Sequence, residues 1–307
     1  MNKILVFGHK SPDTDSVTSA IVMANLEKML GNENVEACVL GKLNKETKYV
    51  FDYLGINEPK YIETLEDGQE VILVDHNEFK QSCDGIENAK ILKVIDHHTM
   101  DFKVGYQLFY HAEPVGCTAT VLYKLYKQNN VEIDKKVATL MISAIISDTL
   151  LFKSPTCTKE DVDIAGELNK IAKLNMKEYG LNMLKAGTDL SDLTAAELVN
   201  LDAKEFTLGS DIKTVVAQVN TASIPDMLER KDEIETAINK VIEEKGLSLF
   251  FFAITDIINS NSQVIALGKN SSLVEKSYNV KLENNTAFLE GVVSRKKQII
   301  PVLTENV

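Results

Sequence analysis

Histidine and aspartate residues recur together in three short segments of the sequence. The chain has five histidines, and four of them lie in the segments GHKSPDTDS, VDHNE and DHHT, each of which also contains aspartate. The fifth, His111, has no acidic neighbour before Glu113 and is not expected to bind metal. A mixture of imidazole nitrogen and carboxylate oxygen suits manganese, cobalt, iron or zinc better than magnesium or calcium. The three segments therefore indicate a transition-metal site.

Each of these segments follows an apolar run that is typical of a buried strand. The runs cover residues 4–7, 71–74 and 91–95, with a further run at 35–40. Helical patterns lie between and after them, which predicts a mostly parallel sheet with helices on both faces. Because parallel strands end at the same edge of a sheet, the three segments should converge there. Asp148, which follows the apolar helical pattern at 137–146, would add a further carboxylate.

Several carboxylates in one cleft raise one another's pKa values unless a cation compensates their charge. The segments offer more ligands than one ion uses, so we expect two ions about 3.5–4 Å apart that share a carboxylate. Any single segment also has a structural interpretation. Asp15, before Ser16, would cap a helix, while His76 would lie outside the ligand shell and Asp96 would orient a neighbour or pack. The coincidence of three segments favours the metal site.

Composition excludes several classes of protein. With 45 acidic and 33 basic residues the formal net charge is -12, which argues against nucleic acid or an anionic membrane as partner because both need a broad basic surface. No apolar run approaches the ~20 residues of a membrane span, and no leader pattern precedes the first strand, so the cytoplasm is the expected location. The cysteines form no CxxC pair and predict neither a disulfide framework nor a thiolate zinc site: Cys38, Cys83, Cys117 and Cys157.

Two α/β domains are predicted. Residues 1–188 would form the domain that carries the metal segments, residues 189–194 a linker or hinge, and residues 195–307 a smaller domain. The smaller domain shows strand patterns at 212–219, 247–258 and 263–267, with a charged helical pattern over 225–245.

A run of three cations, Arg295 to Lys297, stands out in this acidic chain. It is ordinarily interpreted as a solvated loop before a strand formed by the apolar residues that follow, and the alternative is an anion-binding site. From the sequence alone, Lys204 would be an ordinary surface lysine.

The segments GHKSPDTDS, VDHNE, DHHT and SRKKQ, together with Asp148, resemble the family II, manganese-dependent inorganic pyrophosphatases of the DHH phosphoesterase superfamily. The resemblance extends over essentially the whole chain, in motif order. DHHT alone indicates only the superfamily, whereas SRKKQ near the C-terminus narrows the resemblance to pyrophosphatases. Ser11 stands where many members have Asn, at a position that is not expected to bind metal.

The resemblance implies hydrolysis of inorganic pyrophosphate to two phosphates by a hydroxide bridging two metal ions. One ion would be held by His9, Asp13, Asp75 and Asp148, and the other by Asp15, Asp75, His97 and Asp148. His98, Lys204, Arg295 and Lys296 would bind the substrate, and Asp13 would accept a proton from the attacking water. Lys297 would remain exposed.

The resemblance also implies two Mn²⁺ per subunit, with Co²⁺ as an alternative ion and additional Mg²⁺ bound with the substrate. The active site would lie in the cleft between the domains, and the protein would be a homodimer joined through its N-terminal domain.

The alternatives are a related enzyme and a protein of another functional class. A DHH-type phosphoesterase acting on short oligonucleotides or linear polyphosphate would typically carry a GGGH segment in the C-terminal domain, and this chain has none. A metal-dependent regulatory or scaffolding protein with a decayed site would have lost ligands, whereas Asp and His are present at every motif position.

Overall fold

The computed structural model describes residues 3–307. These residues pack as two units, one extending to Gly187 and the other formed by Thr188–Val307. Residues 1 and 2 lie outside the described residues. The first predicted domain, and the N-terminus that was expected to carry no leader, begin there. None of the helices within 3–307 is both long and apolar enough to cross a membrane.

The first unit is built on a six-stranded parallel sheet with the strand order β3-β2-β1-β4-β5-β6. Its strands are β1 (Ile4–Phe7), β2 (Val35–Val39), β3 (Lys60–Tyr61), β4 (Glu70–Val74), β5 (Lys90–Asp96) and β6 (Phe109–Ala112). Its helices are α1 (Thr14–Met29), α2 (Lys45–Leu54), α3 (Thr118–Gln128), α4 (Lys135–Asp148), α5 (Lys159–Ala172) and α6 (Met176–Gly187). Short 3-10 turns lie at Phe79–Gln81 and Ile86–Asn88. The predicted α/β class, with helices flanking a parallel sheet, is confirmed.

Side chains of the central strands are buried on both faces of this sheet. Val6, Ile72 and Ile95 join a hydrophobic cluster with residues of the six helices. Phe7 and Leu73 join a second cluster that includes residues of the 3-10 turns. Burial on both faces explains why these strands are nearly continuous runs of Val, Ile and Leu, and so could be predicted from the sequence. The short strands β3 and β6 lie at the two sheet edges and were not predicted.

The second unit contains a five-stranded sheet with the order β11-β10-β9-β8-β7, in which β8 and β9 are parallel and the other pairs antiparallel. Its strands are β7 (Ala203–Leu208), β8 (Ile212–Thr221), β9 (Leu249–Asp256), β10 (Asn261–Leu267) and β11 (Thr286–Leu289). Its helices are α7 (Ala195–Asn200), α8 (Ile224–Leu228), α9 (Lys231–Lys245), α10 (Ser272–Tyr278) and α11 (Ile300–Glu305). The predicted second, smaller α/β unit is confirmed, with β7 and β11 as unpredicted strands.

The helix predicted over 225–245 is two helices, α8 and α9, separated at Arg230. The backbone of Arg230 leaves the helical region (φ -94°, ψ 8°), and its guanidinium donates to the carbonyls of Leu190 at 3.1 Å and Leu193 at 2.8 Å. The hydroxyl oxygen of Thr188 accepts from the amide of Ala222 at 3.0 Å. These hydrogen bonds attach Thr188, Leu190 and Leu193 to the rest of the second unit.

Candidate metal centre

The carboxyl ends of β1, β4 and β5 are adjacent in the sheet, and the three Asp- and His-containing segments follow these strands. Six predicted ligand side chains converge there: His9, Asp13, Asp15, Asp75, His97 and Asp148. They form two overlapping groups, in each of which the potential ligand atoms lie within 4.8 Å of one another. The first group, called here the His9 group, is His9, Asp13 and Asp75; the second, the His97 group, is Asp15, Asp75, His97 and Asp148. A third such combination joins Asp75 and His97 to His98.

Asp75 belongs to both groups, and each of its oxygens faces a different histidine. Oδ2 lies 3.4 Å from His9 Nε2, and Oδ1 lies 3.3 Å from His97 Nε2. The residue is 1% exposed, and its backbone is left-handed with φ 58°, which is uncommon outside glycine. Such a conformation persists where the surrounding structure fixes it. This arrangement is the one required of a carboxylate shared by two cations.

Hydrogen bonds orient both histidines toward the carboxylates. The Nδ1 of His9 donates to the Lys10 carbonyl at 2.8 Å, and the Nδ1 of His97 donates to the Val115 carbonyl at 3.0 Å. Histidines that bind metals usually donate their second nitrogen in this way, which leaves the other nitrogen for the metal. The Nε2 of His97 is buried and has no hydrogen-bond partner among residues 3–307. The residues present therefore fit a bound cation at this nitrogen.

The start of α1 supplies two of the aspartates. Asp13 caps this helix, since its carboxylate accepts from the Ser16 amide at 3.0 Å. The structural interpretation of Asp15 as the cap was wrong, because Asp15 lies inside the first turn. The helix N-terminus stabilises its negative charge there. Its Oδ1 accepts from the Ser19 hydroxyl at 2.6 Å. A Cβ added at Gly8 would lie 2.0 Å from the Ser16 hydroxyl oxygen, so glycine is required where β1 turns into α1.

Asp148 is the last residue of α4 and reaches the same cluster, with its Oδ2 3.6 Å from His97 Nε2. Burial, together with the charges of Asp15 and Asp75, raises the pKa of Asp148 well above its usual range. Burial and the charge of Asp75 likewise raise the pKa of Asp15 to about 6. In the protein alone, the negative charge of these carboxylates is thus only partly compensated.

The pKa values of the two ligand histidines are raised as well. Burial disfavours the charged form of His9, but hydrogen bonds to Asp13 and Asp75 outweigh this and raise its pKa to about 11. Burial also opposes charge on His97, yet its contact with Asp75 and the charge of Asp15 raise its pKa to about 9. The same contacts lower the pKa of Asp75 despite its burial. The pocket therefore favours positive charge, which protons supply when no cation is bound.

His76 has both ring nitrogens engaged in hydrogen bonds. Its Nδ1 donates to the Val74 carbonyl at 2.9 Å, and its Nε2 accepts from the Ser82 hydroxyl at 2.7 Å. Burial lowers the pKa of His76 to about 4, so the ring is neutral. Its contacts give His76 a structural role outside the two groups.

Asp96 holds the DHHT segment in place. Its Oδ1 accepts from the amides of His97 at 2.8 Å and His98 at 3.1 Å, and from the Nδ1 of His98 at 3.0 Å. Because Asp96 occupies Nδ1, Nε2 is the nitrogen of His98 that is available to a substrate. The His98 side chain is 52% exposed. A cavity of about 290 Å³ opens beside it, with this lining: His9, Asp75, His76, Asn77, Glu78, Gln81, His98 and Thr99.

The predicted substrate-binding cations lie in the second unit. Lys204 is exposed on β7, and Lys296 and Lys297 are exposed as well. The guanidinium of Arg295 donates to the Asp202 carboxylate at 2.9 Å. The interpretation of this run as a loop before a strand was wrong: Arg295–Ile299 form a π-helical turn that continues into α11. Ile299 is buried, which anchors the turn. Single π turns are frequent at functional sites.

Three supporting residues, which contact either the ligands or residues adjacent to them in the chain, were not predicted. Thr118, at the start of α3, donates to both Asp15 and Asp75, and Ser19 donates to Asp15. Glu46 accepts from the hydroxyl of Thr14 at 2.6 Å and from that of Ser147. None of them lies within the Asp- and His-containing segments. The one sequence feature that could have indicated them is the number of Ser and Thr residues around α1.

Comparison with known proteins agrees with this geometry. The family model described as DHH family, N-terminal domain, matches residues 3–145, and the DHHA2 domain model matches residues 181–306. The Bacillus subtilis (strain 168) protein named "Manganese-dependent inorganic pyrophosphatase" is 56% identical over 307 residues, covering 99% of each chain. A Bacillus velezensis protein named "Probable manganese-dependent inorganic pyrophosphatase" is 56% identical over 309 residues, covering 100% of this chain and 99% of its own.

A solved structure is similar over the whole chain. The crystal structure of the Methanococcus jannaschii "putative family II inorganic pyrophosphatase" has 38% sequence identity and a TM-score of 0.62, with 100% of this chain and 99% of that chain covered. Sequence identity at this level over full length shows common family membership. The chain therefore belongs to the family II, manganese-dependent inorganic pyrophosphatases of the DHH superfamily.

Proposed function

We propose that this protein hydrolyses inorganic pyrophosphate to two phosphates at a site that binds two Mn²⁺ ions per subunit. The observation that carries the proposal is the position of Asp75, whose two oxygens face the Nε2 atoms of His9 and His97 at 3.4 Å and 3.3 Å. One ion would be held by the His9 group together with Asp148, and the other by the His97 group. The names and full-length similarity of the relatives support the substrate.

The chain's own residues would divide the chemistry between them. Such ions, when bound, would lower the pKa of a water and so make it a stronger nucleophile. Asp13, whose side chain is 44% exposed, would accept the proton that this water releases. The hydrogen bond to Asp96 raises the pKa of His98, and the protonated ring would donate from Nε2 to a phosphoryl oxygen. Charge-assisted donors of this kind stabilise the negative charge that develops on the leaving phosphate.

Three cations of the second unit, Lys204, Arg295 and Lys296, would neutralise the substrate further. Arg295 is held by Asp202 in this structure, and phosphate oxygens would compete for the same guanidinium donors. We also propose that Mg²⁺ enters with the substrate, that Co²⁺ replaces Mn²⁺ at the centre, and that residues 189–194 act as a hinge between domains 1–188 and 195–307.

Further proposals concern the assembly and partners of the protein. We propose a cytoplasmic location, and the net charge of -12 supports the absence of a nucleic-acid or membrane partner. A homodimer joined through the N-terminal domain is supported by the position of β6 at the sheet edge, where Phe109 is 45% exposed. Sedimentation of the purified protein measures this: a dimer mass is expected, and a monomer mass at all concentrations contradicts it.

A phosphate-release assay tests the reaction. Protein stripped of metal with EDTA should be inactive and should regain activity with Mn²⁺ more than with Mg²⁺ alone. Pyrophosphate, tripolyphosphate and a dinucleotide are compared as substrates. Pyrophosphate is expected to be the preferred substrate. Preferential cleavage of the dinucleotide would support the oligonucleotide phosphoesterase instead, and no hydrolysis of any substrate would support a binding protein.

A further inference from the structure

Thr118 is a buried residue that contacts two of the proposed metal ligands at once. It is the first residue of α3 and is 0% exposed. Its backbone N–H donates to Asp15 Oδ2 at 2.7 Å, and its hydroxyl donates to Asp75 Oδ1 at 3.1 Å. One neutral residue thereby connects α3 to aspartates that follow β1 and β4.

Both contacts fall on the same side of the metal centre. The Asp75 oxygen that Thr118 contacts, Oδ1, is the one that faces His97, whereas Oδ2 faces His9. Asp15 belongs to the His97 group and not to the His9 group. Thr118 therefore fixes two carboxylates of the His97 group, while the aspartate that belongs only to the His9 group, Asp13, is fixed by capping α1.

The hydroxyl also determines how Asp75 is shared. The hydrogen bond from Thr118 is one of the contacts that hold the carboxylate of Asp75, a residue whose backbone is left-handed with φ 58°. Hydrogen bonds to charged acceptors are stronger than neutral ones. Loss of this hydrogen bond would release Oδ1 from its position facing His97 Nε2, whereas Oδ2, which Thr118 does not contact, would keep its position facing His9 Nε2.

We propose that Thr118 is a positioning residue that selectively strengthens Mn²⁺ binding by the His97 group. The inference rests on the proposed two-metal site and adds an asymmetry to it: the two ions depend on different supporting residues. Loss of a hydrogen bond to a metal ligand typically weakens metal binding about 10- to 100-fold. That loss should fall on one ion and not on the other.

Three variants separate positioning from general packing. Thr118→Val keeps the shape and the backbone N–H but removes the hydroxyl, and Thr118→Ser keeps the hydroxyl. Thr120→Val is the matched control. Thr120 lies in the same helix, is 0% exposed, and donates its hydroxyl at 2.6 Å to Asp161, a carboxylate outside both groups.

The experiment is a Mn²⁺ titration of EDTA-treated full-length protein. Calorimetry measures the affinity and number of bound ions, and electron paramagnetic resonance detects the signal of a spin-coupled Mn²⁺ pair. Wild-type protein should bind two ions per chain. Thr118→Val should retain one ion with unchanged affinity and bind the other about 10- to 100-fold more weakly, with loss of the pair signal at limiting Mn²⁺. Thr118→Ser and Thr120→Val should retain both ions, and urea unfolding should show that Thr118→Val and Thr120→Val are both folded.

Three results would overturn the inference: wild-type affinity for both ions in Thr118→Val, equal weakening of both ions, or the same loss in Thr120→Val. Failure of the proposed function is distinguishable from these results, because wild-type protein would then bind no pair of Mn²⁺ ions.

Discussion

Replacing Asp75 by Asn perturbs both proposed ions with one substitution. The two carboxylate oxygens of Asp75 lie 3.3 Å from His97 Nε2 and 3.4 Å from His9 Nε2. Asn has nearly the same shape and tolerates the left-handed backbone of this position, so the fold should persist. It retains one oxygen, while its amide nitrogen carries no lone pair that binds a cation. One ion should therefore lose a ligand, and both should lose a neighbouring negative charge.

The size of the effect follows from the burial of this side chain. Asp75 is 1% exposed, so water cannot replace the missing oxygen without rearrangement. Removing one partner of a buried charge pair costs about 3–5 kcal/mol. At 1.4 kcal/mol per tenfold, this is roughly a 100-fold to several thousand-fold loss of Mn²⁺ affinity. Turnover at limiting Mn²⁺ should fall at least as far, because the proposed reaction requires both ions.

Equilibrium dialysis with Mn²⁺, together with phosphate release from pyrophosphate, measures both effects. Asp161→Asn is the matched control. Asp161 is 0% exposed and accepts hydrogen bonds from Gly116 and Thr120, but belongs to neither group. The control should be less stable to urea and still bind two Mn²⁺. Two ions bound to Asp75→Asn with wild-type affinity and normal turnover would refute the shared-carboxylate reasoning.

Three other perturbations give distinct results. Mn²⁺ affinity should rise with pH up to about pH 9, where His97 loses its proton, and further toward about pH 11, where His9 does, because binding must displace both protons. Calorimetry in buffers of different ionisation enthalpy measures that release, and its absence contradicts the assignment. Arg295→Ala should lower pyrophosphate turnover and leave both ions bound, whereas Lys297→Ala should change neither; metal loss in Arg295→Ala would contradict this division. Because burial lowers the pKa of His76 from 6.5 to about 4, the unfolded chain binds its proton first as pH falls. Stability should therefore decrease from about pH 6.5 to about pH 4, by about 3 kcal/mol, and the profile of His76→Gln from urea unfolding should be correspondingly flatter.

The convergence of the Asp- and His-containing segments could be predicted because each follows a strand that is buried on both faces. Such strands are continuous apolar runs, and in a parallel sheet their ends share one edge. The sequence thus located His9, Asp75 and His97 correctly relative to the sheet. It did not distinguish Asp13 from Asp15 as the helix cap, because both precede the same helical pattern two residues apart.

The supporting residues could not be predicted, because their partners are distant in the chain. Thr118 is 103 residues from Asp15 and 43 from Asp75, and a neutral threonine gives no local sign of such contacts. The helical structure of the SRKKQ segment was missed for a related reason. Ile299 and Ile300 form an apolar pair that suits either a strand or a helix, and only the packing of Ile299 in the second unit decides between them.

Anomalous diffraction at the manganese edge, from crystals grown with Mn²⁺, tests the two-metal claim most directly. We expect two peaks about 3.5–4 Å apart, one beside His9 Nε2 and the other beside His97 Nε2, with Asp75 between them. A single peak, or manganese bound away from these nitrogens, would contradict it.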